Sequence, residues 1–175
     1  MKKLRLLFTT DCSRSCEGCC NKQFNLSNLP IFYKEDITQY DEVYITGGEP
    51  LLHSSELYWL CKDLKEINPN IKIIIYTAYT KYWGFSNRLL IALVDGFTIT
   101  LNDQKACDEY EKTEPQLLQF NNRFLTKSIR LNIFEGIAYP KRWKDEYQVK
   151  DNIVWLKDCP LPEDEIFMQL KEKLL

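Results

Sequence analysis

The chain has 175 residues, room for one ordinary domain, and is 45% hydrophobic and 27% charged, close to the globular average. Its 23 Lys and Arg against 25 Asp and Glu leave a formal net charge of −2, which argues against a dominant nucleic-acid surface. No apolar run approaches a membrane span, and Leu6-Leu7-Phe8 behind the basic start is too short for a signal-peptide core. The expectation is a cytoplasmic chain with neither a membrane nor a nucleic-acid partner.

In chain order, Leu4–Thr9 reads as a first strand. Four of the seven cysteines follow it at once: Cys12, Cys16, Cys19 and Cys20. Glu42–Thr46 reads as a second strand and runs into Gly47-Gly48-Glu49-Pro50. Leu57, Leu60, Cys61, Leu64 and Ile67 then recur at helical spacing over Glu56–Ile67, and Asn68-Pro69 ends that helix. Ile71–Tyr76 is β-branched and mostly apolar, as a strand covered on both faces should be. Ser86–Val94 reads as a short helix and Phe97–Leu101 as a strand.

Thr113 with Gln116 fits a capping box, Pro115 suits a first turn, and Leu117, Leu118, Asn121, Phe124 and Leu125 mark one helical face. Ile129–Phe134 is a fifth strand, and Asn152–Leu156 a weaker sixth. Glu163–Leu174 has acids first and lysines last, which predicts a final helix. Repeated β–α alternation implies a parallel sheet with right-handed crossovers. An eight-stranded barrel typically needs about 250 residues. The expectation is therefore an α/β fold, an incomplete (β/α) barrel of five to six parallel strands with flanking helices, in one domain over 1–175. Active sites in such folds lie at the carboxyl ends of the strands, where both the cysteine loop and Gly-Gly-Glu-Pro fall.

Cys12, Cys16 and Cys19 form C-x3-C-x2-C, with Gly18 to turn the backbone beside them. Three thiolates can hold three irons of a [4Fe-4S] cube and leave the fourth open, where four cysteines are usual. Zinc is the alternative. A closed zinc site needs four ligands. Cys20 could be the fourth, but adjacent cysteines in an extended stretch point in opposite directions. No second C-x-x-C follows, and His53 is the only histidine. Inert thiols are a third possibility. An odd cysteine count with no export signal speaks against a disulfide framework.

Both motifs, in this order and on these strands, resemble those of the radical S-adenosylmethionine (SAM) superfamily. Cys16-Glu17-Gly18-Cys19-Cys20-Asn21 resembles the C-x-G-C-[aromatic]-N stretch of the small activases of anaerobic ribonucleotide reductase. Tyr76-Thr77-Ala78-Tyr79 is similar to their W-T-G-Y, and Leu93-Val94-Asp95-Gly96 to their L-V-D-G. The resemblance covers roughly the first hundred residues, with order and spacing preserved. Cys20 stands for the usual aromatic, Glu49 for the commoner Asp, and Phe97 where a Lys often follows V-D-G.

The resemblance implies that Cys12, Cys16 and Cys19 ligate a [4Fe-4S] cluster whose open iron is chelated by SAM. It implies an electron from a flavodoxin or ferredoxin, reductive cleavage of SAM to a 5′-deoxyadenosyl radical, and hydrogen abstraction from a glycyl-radical partner protein. No catalytic side chain is assigned, because the cofactors carry the chemistry. Gly47, Gly48, Glu49 and Pro50 would meet the SAM amino group, with Glu49 as a charge-assisted partner. Thr77 and Asp95 would lie near its carboxylate or ribose, although Thr77 also simply ends a strand and Asp95 makes a turn. Arg130 and Asn132 alternate with Ile129, Leu131 and Ile133, and would meet SAM or substrate if that face points inward.

Cys61 reads as a core residue. Cys107 and Cys159 stand alone, and their scatter disfavours a second cluster with Cys20 and Cys61. His53 reads as a loop residue before a helix rather than a base. Residues 137–175 are expected to form a lid, a docking surface or a barrel closure. Two other functions stay open: radical SAM modification of a small nucleotide or peptide, and a non-catalytic zinc-binding or interaction protein.

Overall fold

The structure, a computed structural model, describes residues 2–80, 85–120 and 126–171. Alternation along the strands decides the layering. In β1 (Lys3–Thr9) Leu4, Leu6 and Phe8 join the main core while Lys3, Arg5 and Thr9 stay half-exposed on the other face. Val43 and Ile45 of β3 (Glu42–Gly47) do the same, as do Ile73 and Ile75 of β4 (Lys72–Thr77). Phe97, Ile99 and Leu101 of β5 (Gly96–Leu101) and Ile129, Leu131 and Ile133 of β6 (Ser128–Phe134) complete that apolar wall.

Helices cover this wall. α1 (Ser54–Ile67) buries Leu57, Leu60, Cys61 and Leu64, α2 (Phe85–Leu93) buries Leu90 and Ile91, and α3 (Gln104–Phe120) buries Ala106, Cys107, Tyr110 and Leu117. The opposite, inner face carries Arg5, Tyr44, Tyr76, Thr98, Arg130 and Asn132. Among the described residues every strand pairing is parallel.

Among the described residues the sheet has eight strands, two or three more than expected, in the order β2-β8-β1-β3-β4-β5-β6-β7, and its two edges do not pair with each other. The additions are β2 (Ile31–Phe32), too short to signal itself, and β8 (Glu165–Leu170). β8 lies where a final helix is expected. A favourable charge order along a helix contributes only about 0.3–1 kcal/mol per group. Strand pairing on both sides, with β1 over Lys3–Leu7 and with β2, outweighs it. β7 is Gln148–Ile153, four residues earlier than the weak signal at Asn152–Leu156. The segment 137–175 thus supplies α4 (Trp143–Glu146) and two strands that widen the sheet.

α3 also starts earlier than the capping box suggests. Asp103 Oδ1 accepts the Ala106 amide at 2.7 Å and caps the helix, while Thr113 lies inside it with its hydroxyl 2.9 Å from both Glu109 O and Thr80 O. Pro115 is tolerated inside the helix on an exposed face. The expected face residues Asn121, Phe124 and Leu125 and the side chain of Leu118 lie outside the described residues. No described helix is long and apolar enough to cross a membrane.

Candidate active site at the carboxyl edge

The cysteine loop leaves β1 and the Gly-Gly-Glu turn leaves its neighbour β3, so parallel pairing puts both at one edge. They are stitched together. The Gly48 amide donates to Thr9 O at 2.6 Å and the Glu49 amide to Asp11 O at 2.7 Å. Asn21 Nδ2 reaches back to Gly47 O at 2.6 Å, and His53 Nε2 lies 3.0 Å from Asp11 Oδ2. This contact explains the glycines. Gly47 has φ +132°, and a β-carbon there would meet Thr9 O at 2.1 Å. The group that approaches Gly47 closely is therefore the end of β1, whereas the resemblance assigns the need for a glycine to SAM.

Glu49 is 2% exposed and fully engaged. Its carboxylate accepts the Leu51 amide at 3.1 Å, the Thr77 hydroxyl at 2.6 Å and the Ala78 amide at 2.8 Å. Burial raises its pKa above the ordinary carboxylate value, against those three donors and the Arg14 charge. Glu49 thus ties the turn to the end of β4, with Thr77 as its partner. Pro50 is buried at the start of the short 3-10 turn Pro50–His53. Arg14 crosses the edge, donating to Ala78 O at 2.6 Å and to Asp103 at 3.0 Å.

A cavity of about 600 Å³ opens beside the loop, lined among others by Arg14, Cys16, Tyr79, Asn102 and Lys105. Asn102, the first residue after β5, donates through Nδ2 to Cys16 Sγ at 3.4 Å, and its Oδ1 is buried without a partner. Asn132 on the inner face of β6 has the same orphaned, buried Oδ1. Asn102, Arg14 and Asn21 received no site role from the sequence. Their signal is position: Asn102 directly follows a strand at the edge where the cysteines gather.

Other candidates go elsewhere. Asp95 precedes β5, at the amino edge, six residues of strand away from Asn102. Its carboxylate takes the Lys65 ammonium at 2.8 Å and the Ile73 amide at 2.8 Å, so it is a turn residue. Cys61 and Cys107 are buried under the sheet, 0% and 1% exposed. Cys20 and Cys159 form a disulfide, with Cα atoms 5.6 Å apart. That bond corrects the expectation against disulfides, removes Cys20 as a fourth zinc ligand, and dissolves a second cluster built from Cys20, Cys61, Cys107 and Cys159. Spacing along the chain does not show that residues 139 apart meet.

Cys12, Cys16 and Cys19 are free thiols. Among the described residues no three His, Cys, Asp or Glu side chains converge as a metal site, so the loop carries the donors without gathering them at one point. Burial pushes the Cys12 thiol up, opposed by the Arg14 amide 3.4 Å from its sulfur. Soft thiol donors, the adjoining cavity and two orphaned carboxamide oxygens fit an iron–sulfur cluster with an organic ligand beside it.

A cysteine-loop domain on an open parallel α/β sheet is the class these features define. Residues 3–117 match the family described as 4Fe-4S single cluster domain, and the chain belongs to that family. It is also 29% identical over 85 residues to L-lysine 2,3-aminomutase of Buchnera aphidicola subsp. Baizongia pistaciae (strain Bp), a match covering 43% of this chain. The chain spans 25% of that relative's length. The two matches support the radical SAM superfamily, and the family match implies a [4Fe-4S] cluster.

Proposed function

We propose that this protein is a radical SAM enzyme in which Cys12, Cys16 and Cys19 hold the cluster, and that its hydrogen donor is a glycine of a partner protein. The observation that carries the reading is the stitched pair of motifs, cysteine loop to Gly-Gly-Glu turn, beside a cavity at the carboxyl edge. The resemblance of residues 16–21, 76–79 and 93–96 to the small activases supports the finer part. A flavodoxin- or ferredoxin-type protein is the electron donor in this reading.

When bound, the cluster and SAM supply reductive cleavage of a sulfur–carbon bond and, from it, hydrogen abstraction. The chain's own residues hold and orient. Asn21, Gly48 and Glu49 fix both ends of the cysteine loop against β3. Asn102 Oδ1 and Asn132 Oδ1 offer acceptors suited to an ammonium or a ribose hydroxyl. Arg14 braces the loop against the ends of β4 and β5 and lines the cavity.

The test is anaerobic reconstitution with iron and sulfide, reduction, and electron paramagnetic resonance with and without SAM. A reduced [4Fe-4S] signal that changes on adding SAM is the expected result. Zinc retained in air with no cluster signal overturns the reading. Mixing the loaded enzyme with an anaerobic ribonucleotide reductase then tests the finer part: a glycyl-radical doublet is expected. SAM cleavage stimulated by a small molecule alone transfers the assignment to a small substrate.

A further inference from the structure

A second cavity, about 640 Å³, lies at the opposite edge of the sheet. Lys3, Glu42, Lys72, Ser128, Gln148 and Glu165 line it, and each is the first residue of its strand. The lining comes from β1 and β8 on one side and β6 and β7 on the other, so the sheet curls around it. The volume suits a small molecule.

The charges of this cavity are matched with one exception. Lys3 pairs with Asp164 at 2.6 Å and Lys72 with Glu42 at 3.4 Å. Glu165 is held by Arg5 at 2.7 Å and Asp95 by Lys65 at 2.8 Å. Arg130 forms no hydrogen bond or ion pair among the described residues. It stands on the inner face of β6, in register with Thr98 of β5 and Gln148 of β7, and two residues above Ser128. Hydroxyl and amide groups therefore flank a guanidinium whose planar fork is free. That is the donor set that recognises an oxyanion bidentately.

We propose that this amino-edge cavity binds an oxyanion, phosphate or carboxylate, of a small-molecule ligand, with Arg130 as its anchor. Asn132 lies two residues further along the same inner face, about 6–7 Å towards the cysteine loop. A ligand held at Arg130 thus extends its other end along the barrel interior towards the candidate active site. The proposal does not rest on the radical SAM reading, in which the hydrogen donor is a partner-protein glycine and this ligand is an accessory molecule. Binding itself needs no cluster.

The test is calorimetric titration of the full chain with pyrophosphate and, separately, succinate, each against sodium chloride at matched ionic strength. Saturable binding of either anion in the millimolar range or tighter is expected, and whichever binds better names phosphate or carboxylate as the source. Arg130→Gln should weaken it roughly tenfold or more, as loss of a charge-assisted pair does. Arg130→Lys should retain part of it, and Lys62→Gln on α1 should leave it unchanged. A measurement on the unaltered protein guards against a variant that fails to fold. The bound anion should protect Arg130 from phenylglyoxal, read by peptide mapping. Absence of saturable binding by both anions, wild-type affinity in Arg130→Gln, or modification of Arg130 at the same rate with and without anion each overturns the proposal. Failure of the cluster experiment with anion binding intact would sink the enzymatic reading alone.

Discussion

Gly48 lies so close to Asp11 that a β-carbon on it would sit 1.9 Å from the Asp11 carbonyl oxygen. The same proximity lets the Glu49 amide reach that oxygen at 2.7 Å. Gly48→Ala must therefore separate the turn from the cysteine loop. Neither neighbour can yield by a rotamer change, because the obstacle is backbone. The expected cost is about 2–4 kcal/mol in the unloaded protein, with a parallel fall in iron bound after reconstitution. Denaturant unfolding and an iron assay check both. Wild-type values in the two measurements would show that this contact does not position the loop.

Glu49→Gln replaces one accepting oxygen with a donor, facing the amides and hydroxyl that Glu49 now satisfies. A loss of about 1–3 kcal/mol follows from the unsatisfied buried donor. The pH dependence has a definite sign. Burial raises the folded-state pKa of Glu49 above its unfolded value. Between the two values the folded state keeps a proton that the unfolded state has released. Stability from this group is therefore greatest below the unfolded pKa and falls as pH rises through that window. The slope of unfolding free energy against pH should flatten there in Glu49→Gln. An unchanged slope would mean that other groups set it.

What the sequence displays and what it hides follow physical lines. The five main strands and α1 are legible because burial on one face imposes a period, and parallel pairing then forces both motifs to one edge. β8 is hidden because Glu163–Leu174 carries helix-like charge order, while its strand state depends on β1 offering a free edge. The thiols are visible as donors by spacing. The engagement of Glu49 with Thr77 and Ala78 is not, since contacts across 28 and 29 residues depend on the fold. Asp95 shows the converse: a family-like tetrapeptide suggests SAM while its place before Gly96 suggests a turn, and the structure puts it in that turn at the other edge.

The Cys20–Cys159 bond fastens the segment after β7 to the cysteine loop, where Trp155 packs on Gly18 so tightly that a β-carbon would lie 2.4 Å from the indole. The Cys159 amide also donates to Gln23 Oε1 at 2.6 Å. A cross-link closing a loop of this length restricts the unfolded chain by up to about 5 kcal/mol. Cys159→Ser should lower Tm under non-reducing conditions and leave it unchanged relative to wild type in excess dithiothreitol. Trp155 emission should shift to the red on reduction, and Trp155→Phe should remove that shift. Equal Tm values without reductant would show that the bond adds nothing.

Thiol reactivity should separate the cysteines by environment. Only the thiolate attacks iodoacetamide at an appreciable rate. Burial holds Cys107 at a pKa of about 11, and Cys61 is pushed higher still inside the core. At pH 8 the thiolate fraction of Cys107 is then about one in a thousand, and its 1% exposure slows attack further. Cys12, Cys16 and Cys19 lie in the accessible loop and should be alkylated ahead of both buried thiols. In unloaded, non-reduced protein the expected peptide map shows label on Cys12, Cys16 and Cys19, none on the bonded Cys20 and Cys159, and almost none on Cys61 and Cys107. Raising the pH towards 11 should bring up Cys107 ahead of Cys61. Loading the cluster should then protect Cys12, Cys16 and Cys19 together. Protection of any one of them alone would break the assignment of three equivalent ligands.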